Sequence, residues 1–425
     1  MSITLSTEQN KAVNSVAEWF SDPFKQSFYL GGLAGTGKST LISPIVEKLG
    51  LNLEQIAIVA PTAMAAKVVR RKLNGWGIQT GASTIHKAIY QPRLTKPEVI
   101  EMELARAQVQ LSATPGNKYA QARVKLLETN LERAYDINDI KFRLNPDSTI
   151  VNTKLIIVDE SSMVGKEVAE DLKSFDIPIL AIGDPGQLQP VGDVPGLCIG
   201  RPDALLTEIH RQAQDNPIIL YSHLVRTGQT MPYGDYGALK IIRPSEDHYT
   251  CAPDRDAQII VGMNRTRWEI TSVLRRMAGF ESSAPQQGEP LIVCKNSREH
   301  TDLVNGTFLT STRDHAELES GRSCVVISAK DEDDAPFTLK TYQGLFEEHE
   351  HREKNFSSAS KKEAFKARMK LHHLDFGWVM TCHKAQGSQW RSVIVHDESR
   401  VFKDDALNWM YTAATRAEEE LIVVR

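Results

Sequence analysis

The chain has 425 residues, 41% hydrophobic and 24% charged, the balance of a soluble globular protein long enough for two to four domains. It carries no charged-then-apolar N-terminal stretch and no apolar run of membrane-spanning length, which predicts a cytoplasmic protein and argues against secreted and membrane-spanning classes. Its five cysteines (Cys198, Cys251, Cys294, Cys324 and Cys382) form no C-x-x-C pair, which argues against a disulfide framework or a zinc or iron–sulfur site, and the net charge of −4 leaves no overall basic footprint.

The first strong signal along the chain is Gly32-Leu33-Ala34-Gly35-Thr36-Gly37-Lys38-Ser39, which fits the phosphate loop G-x-x-x-x-G-K-[ST]. Phe28-Tyr29-Leu30 before it reads as the end of a buried strand, and Thr40-Leu41-Ile42 after it opens an apolar-periodic helix. In that setting the glycines let backbone N–H groups curl around a phosphate at a helix N-terminus. Lys38 supplies a point charge for the β- and γ-phosphates, and the Ser39 hydroxyl supplies a ligand for Mg²⁺. A strand is expected at 56–60. Beyond it, Ile100, Leu104, Ala107 and Leu111, then Pro115-Gly116, then Val124, Leu127, Leu131 and Ala134 predict a helical hairpin within residues 87–149.

Residues 155–160, Leu-Ile-Ile-Val-Asp-Glu, read as a buried parallel strand with two carboxylates at its C-terminal end. There Asp159 can hold Mg²⁺ and Glu160 can polarise an attacking water. A second apolar strand, 177–182, leads into the segment 183–191, Gly-Asp-Pro-Gly-Gln-Leu-Gln-Pro-Val, whose Gln187 can sense a γ-phosphate. Arg211 and Arg416 are candidates to stabilise charge on a transferring phosphoryl group. Further strands at 259–262, 393–396 and 421–424 continue the alternation with helical patterns that makes parallel sheets. Residues 286–372 break it, with short alternating strands and Asn-Gly turns that suggest a small β-barrel. At its exit, residues 352–370 carry seven Lys or Arg against Glu353 and Glu363, read either as a solvated helix face or as a nucleic-acid contact. Asn264 and Arg267, just after a strand, are weaker candidates to face nucleotide or DNA.

These motifs, in this order, resemble those of the superfamily 1 nucleic-acid helicases, in the RecD-like branch that includes the bacteriophage Dda-like enzymes. The Leu5 to Val13 segment resembles the Q motif, whose Gln9 would read adenine. Ala60 to Lys67, Ala82 to His86 and Thr381 to Ser388 resemble further motifs of the family. The resemblance implies an α/β fold of two RecA-like parallel-sheet motor domains. The first would comprise residues 1–86 and 150–200, with the hairpin 87–149 inserted. The second would comprise 201–285 and 373–425, with the barrel 286–372 inserted.

ATP would lie between the motors, against Gln9, the loop Gly32 to Ser39, Thr40 and Gly387, with Ser39 and Asp159 on Mg²⁺. Lys38, Glu160, Gln187, Arg211 and Arg416 would act in hydrolysis. Pro61, Thr62, Ser83, Thr84 and His86 of the first motor, and Thr381, His383 and Lys384 of the second, would grip single-stranded DNA. The expected activity is 5′→3′ translocation and unwinding of forked or tailed duplex by a monomer, in a bacterial or phage-infected cytoplasm, alongside single-strand-binding or replisome proteins. The alternatives are a RecD-like subunit of a nuclease or recombination complex, and a DNA-stimulated ATPase that remodels protein–DNA complexes. Backbone and stacking contacts leave RNA open as a substrate.

Overall fold

The computed structural model describes residues 5–21, 26–75, 81–91, 97–114, 124, 127, 143–145, 148–190, 192–209, 215–244, 257–295, 297, 300, 303, 305–316, 324–347 and 371–425. Two compact units are present: Met1–Ile85 with Asn152–Arg425, and His86–Val151. Among the described residues no helix is long and apolar enough to cross a membrane.

The first sheet of the large unit uses β1 (Ser27–Gly32), β2 (Ile56–Ala60), β3 (Ser83–Thr84), β6 (Leu155–Val158), β7 (Ile179–Gly183) and β8 (Ala204–Leu206), in the order β3-β2-β6-β7-β1-β8. Every pairing in it is parallel. Its central strands are continuous apolar runs because both faces are covered: β6 and β7 are buried at every residue. Helices α1 (Thr7–Phe20), α2 (Ile42–Lys48) and α3 (Ala63–Gly75) supply Val13, Val16, Trp19, Ile42, Ile45, Val69 and Leu73 to the core around Leu30, Ile58, Ile157 and Leu180. A capping box starts α1, with Ser6 and Gln9 each bonding the other's backbone N–H through a side chain. Ile157 is wholly buried between β2 and β7. Ile157→Ala should therefore cost about 2–5 kcal/mol of stability, read as a lower urea midpoint at unchanged slope.

The second sheet has the order β17-β11-β18-β19-β10-β9, from β9 (Gly234–Asp235), β10 (Leu239–Ile242), β11 (Gln258–Val261), β17 (Val379–Thr381), β18 (Trp390–His396) and β19 (Ala417–Val424). Only the edge strand β9 runs antiparallel. The helices Pro217–Arg226 and Ala406–Ala414 cover one face with Tyr221, Val225, Trp409 and Ala413. Two parallel-sheet α/β layers are thus built from one chain.

A third sheet, antiparallel, runs β15-β14-β13-β12-β16 through β12 (Pro290–Val293), β13 (Phe308–Ser311), β14 (Cys324–Lys330), β15 (Pro336–Tyr342) and β16 (Leu374–Phe376). It extends past residue 372 to Phe376. The edge strand β15 also exchanges backbone bonds with His372, just before β16 at the opposite edge: Tyr342 N–H donates to its carbonyl at 2.8 Å and its N–H to Lys340 at 2.9 Å.

Buried ion pairs join this sheet to the helix Asn264–Met277: Arg267 to Asp375 at 2.6 Å, and Arg275 to Glu289 at 2.6 Å, with the Arg275 guanidinium 4.0 Å from the centre of the Phe376 ring. Arg267 therefore does not face nucleotide or DNA. It is 4% exposed, and Asn264 accepts its Nε–H at 3.2 Å. A guanidinium withdrawn from water needs compensating acceptors, and this one finds a carboxylate on β16. The β14–β15 turn reaches α3 of the first sheet through Glu332 and Lys67 at 2.7 Å, both exposed and so worth little stability.

In the small unit, α4 (Pro97–Ala113) packs Ala107 against Val124 and Leu127, which lie at helical positions, and β4 (Tyr90–Gln91) pairs antiparallel with β5 (Arg143–Leu144). Leu131, Ala134, Cys251, Arg211 and the basic run 352–370 lie outside the described residues.

Candidate active site

The phosphate loop leaves β1 at the C-terminal end of the first sheet, where open α/β sheets place their ligands. Gly35 (φ +79°) and Gly37 (φ +73°) take the left-handed conformation that lets successive N–H groups face one side. Lys38 folds back over the loop, with Nζ donating to the Leu33 carbonyl at 3.1 Å and pairing with Asp184 at 3.2 Å. The Ser39 hydroxyl donates to Asp159 Oδ2 at 3.2 Å, so the two expected Mg²⁺ ligands meet although 120 residues separate them. Burial, and then the adjacent charge of Glu160, raise the Asp159 carboxyl to about 6.

Glu160 is half-buried and sits at φ +52°, a conformation uncommon outside glycine that costs on the order of 1–3 kcal/mol. Such strain is held where surrounding contacts over-determine it, here the turn between β6 and the short helix Ser161–Met163.

Gln187 is 5% exposed, and its Oε1 has no partner among the described residues. Thr36 is bound by Gln9, whose Nε2 donates to its carbonyl at 3.2 Å while Oε1 accepts from Ser6 N–H at 3.0 Å. The Gln9 amide thus ties the phosphate loop, through Nε2, to the N-cap of α1, through Oε1. Thr40 turns its hydroxyl to the Gly37 carbonyl at 2.5 Å.

Arg416 is 3% exposed; its guanidinium donates to the carbonyls of Thr412 (3.0 Å) and Ser388 (3.1 Å) and to Thr415 Oγ1 (3.2 Å), all on the second sheet's side.

From the helix Ala406–Ala414, just before Arg416, Tyr411 reaches the loop. Its hydroxyl accepts from Ala34 N–H at 2.8 Å and donates to Asp184 Oδ2 at 2.8 Å. Burial raises the phenol well above its ordinary range, so it stays a proton donor. Asp184 is 1% exposed and also accepts from Gly186 N–H at 2.9 Å. Leu188 N–H donates to Thr412 Oγ1, and Gln386 Nε2 to the Leu188 carbonyl, both at 2.9 Å. Tyr411, Asp184 and Gln386 went unnoticed in the sequence although each lies in a motif already singled out. A buried tyrosine or aspartate reads as ordinary core until its partner across the fold is known.

Pro61 and Thr62 follow β2, and Ser83 and Thr84 pair beside its end, so these four half-exposed residues share one edge. Thr62 caps α3 by accepting Ala65 N–H at 3.1 Å. Gly387, between β17 and β18 of the second sheet, packs on the same helix: a Cβ there would lie 2.8 Å from that of Ala65 and 3.1 Å from Thr62 Oγ1. It thus stands against the Pro61–Thr62 edge. Thr381 ends β17 and is 8% exposed, and Lys384 is exposed with Nζ 3.7 Å from Cys294 Sγ. Burial lowers the His383 imidazole, 5.6 Å from the Phe402 ring, so near neutral pH it offers a hydrogen bond or a stacking face more than a charge. His86 belongs to the small unit, exposed and 5.2 Å from the Tyr90 ring.

The family described as AAA domain matches residues 4–243, and the UvrD-like helicase C-terminal domain matches residues 376–424. An ATP-dependent RecD2 DNA helicase of Deinococcus radiodurans is 26% identical over 412 residues, 92% of this chain and 46% of that protein. Uncharacterized protein R530 of Acanthamoeba polyphaga mimivirus is 26% identical over 198 residues, 45% of this chain and 35% of that protein. The chain thus spans less than half the length of either relative. Among solved structures, one of two coordinating Pif1 helicases unwinding forked double-stranded DNA superposes with a TM-score of 0.52 at 16% identity, covering 100% of this chain and 92% of that one. At that identity the likeness shows a shared fold.

Proposed function

The chain belongs to the AAA domain family, and on that premise we propose that it is a superfamily 1 helicase of the RecD-like branch, ATP-dependent and moving 5′→3′ on single-stranded DNA. The observation that carries the reading is the meeting of Lys38, Ser39, Asp159 and Asp184 at the strand ends of one sheet, joined by Tyr411 from the other. The residues present fit a Mg²⁺-nucleotide. Ser39 and Asp159 offer the hydroxyl and carboxylate oxygens that Mg²⁺ takes when phosphate and water complete its shell, and Gln187 Oε1 is a buried acceptor without a protein partner among the described residues. Bound there, the ion would neutralise charge on the phosphoryl group.

Lys38 exchanges Asp184 for phosphate oxygens. Glu160 orients and polarises the attacking water, Gln187 registers the γ-phosphate, and Arg416, with Arg211, acts on the charge that develops. The edge formed by Pro61, Thr62, Ser83 and Thr84 holds the strand from the first motor, while Thr381, His383 and Lys384 hold it from the second. Closure and reopening of the cleft then move the two grips relative to each other. We read the third sheet as a small β-barrel inserted in the second motor and residues 87–149 as a strand-separating arm.

Strand displacement on a 5′-tailed duplex, with ATPase measured alongside, tests the reading. ATPase stimulated by DNA with no displacement would indicate a remodelling motor, and displacement from 3′ tails alone would reverse the polarity. Deleting residues 98–134 and joining the flanks with a short flexible linker should spare DNA-stimulated ATPase and streptavidin displacement from a 3′ end. Unwinding should fall by roughly tenfold or more, because each base-pair step holds about 1.4 kcal/mol of stacking that needs a surface to part it. Equal loss of all three activities would make the arm a packing brace.

A further inference from the structure

We propose that Tyr411 is the positioning residue through which the second motor reads the phosphate loop: its hydroxyl clasps Ala34 N–H and Asp184, and the clasp tightens when Lys38 moves from Asp184 to a phosphate. The inference rests on the nucleotide site proposed above and adds its regulation. Tyr411 lies on the helix Ala406–Ala414 of the second motor and is wholly buried. Its phenol oxygen accepts from Ala34 N–H and donates to Asp184 Oδ2, each at 2.8 Å, and that same carboxylate oxygen is 3.2 Å from Lys38 Nζ.

One oxygen atom therefore holds both the cation of the phosphate loop and the hydroxyl of the other motor. The ring has room because residue 186 is glycine: a Cβ there would stand 3.0 Å from Tyr411 Cε1 and 2.9 Å from Arg226 Cδ. The second motor touches the same loop residue again at His223, whose Nε2 is 3.3 Å from the Ala34 carbonyl.

A buried carboxylate is tolerable only while cations and donors compensate it. Asp184 has Lys38, Tyr411 and Gly186 N–H for this purpose. A triphosphate competes with Asp184 for Lys38, being the more highly charged anion. Once Lys38 shifts, Asp184 leans on its remaining donors, and the bond from Tyr411 becomes the stronger for it. The second motor is thereby drawn onto the first when nucleotide is bound, and released when Lys38 returns. Linkage makes the effect reciprocal: a second motor displaced by its DNA grip loosens Tyr411 from Asp184 and changes how readily Lys38 leaves it. Tyr411 need not touch nucleotide to do this.

Tyr411→Phe keeps the ring against Gly186 and removes only the hydroxyl. On the full chain, two readouts separate the possibilities: kcat and KM for ATP with and without single-stranded DNA, and compaction seen by small-angle X-ray scattering when Mg²⁺ and a non-hydrolysable ATP analogue are added. The unaltered protein should compact. Tyr411→Phe should bind the analogue nearly as tightly but compact less, and its DNA-stimulated kcat should fall about tenfold, the weight of a hydrogen bond to a charged group, with KM moving far less. Tyr411→Phe combined with Asp184→Asn should lose little more compaction than either change alone. Full compaction and full DNA stimulation in Tyr411→Phe, or additive losses in the pair, would overturn the clasp. Analogue-driven compaction that needs Tyr411, in a chain that never turns over ATP, would sink the helicase reading and leave the clasp standing.

Discussion

Lys38→Ala is expected to abolish ATP turnover, and Glu160→Gln to stall it after binding. The two failures should be told apart by nucleotide affinity. Lys38 is the cation of the phosphate loop, 17% exposed and already engaged with Asp184. Its loss removes the charge partner of the β- and γ-phosphates and also leaves Asp184 buried with fewer donors, so both ATP affinity and kcat should collapse. Glu160→Gln keeps the shape of the turn after β6 and removes only the carboxylate. Nucleotide and DNA binding should survive while kcat falls by on the order of 10²-fold or more, the range for loss of a general base. Equilibrium binding of a fluorescent ATP analogue and single-turnover hydrolysis measure the two separately. A near-normal DNA-stimulated rate in Glu160→Gln would remove Glu160 from the role of base.

Arg416→Ala should lower kcat by about 10²-fold with a much smaller rise in KM for ATP, because a guanidinium acting on developing charge contributes most in the transition state. The structure adds a second expectation. Arg416 donates to the carbonyls of Thr412 and Ser388, so its removal takes a buried donor from each, although the Thr412 carbonyl keeps the Thr415 hydroxyl. Some loss of thermal stability should accompany the kinetic defect. Arg416→Lys, which retains the charge without the planar fork, should recover little of kcat. Arg211→Ala should share the kinetic signature. A change confined to KM would mean that these arginines only bind ground-state nucleotide.

Much of the site could be read from local sequence because its chemistry is local. The glycines of the phosphate loop, the carboxylates ending an apolar strand and Gln187 after another each carry their proposed role in residue type and spacing, and the strand–loop–helix context follows from hydrophobic periodicity. The same periodicity announced α4 and its packing through Ala107, Val124 and Leu127, and the Asn-Gly turns announced short antiparallel strands after residue 286.

Tertiary structure alone decided which polar groups would meet. Arg267 follows a strand of the second motor, as a site residue would, yet its charge is spent on Asp375, 108 residues away. Gln9 meets the Thr36 carbonyl of the phosphate loop and Gly387 packs against Ala65 of α3, contacts that neither segment specifies by itself. Tyr411 and Asp184 are 227 residues apart, and nothing in either segment specifies the other. Periodicity and motif spacing report what a residue does within its own element. The partner of a buried charge or hydroxyl is set by which elements the sheets bring together, and that pairing exists only in the folded chain.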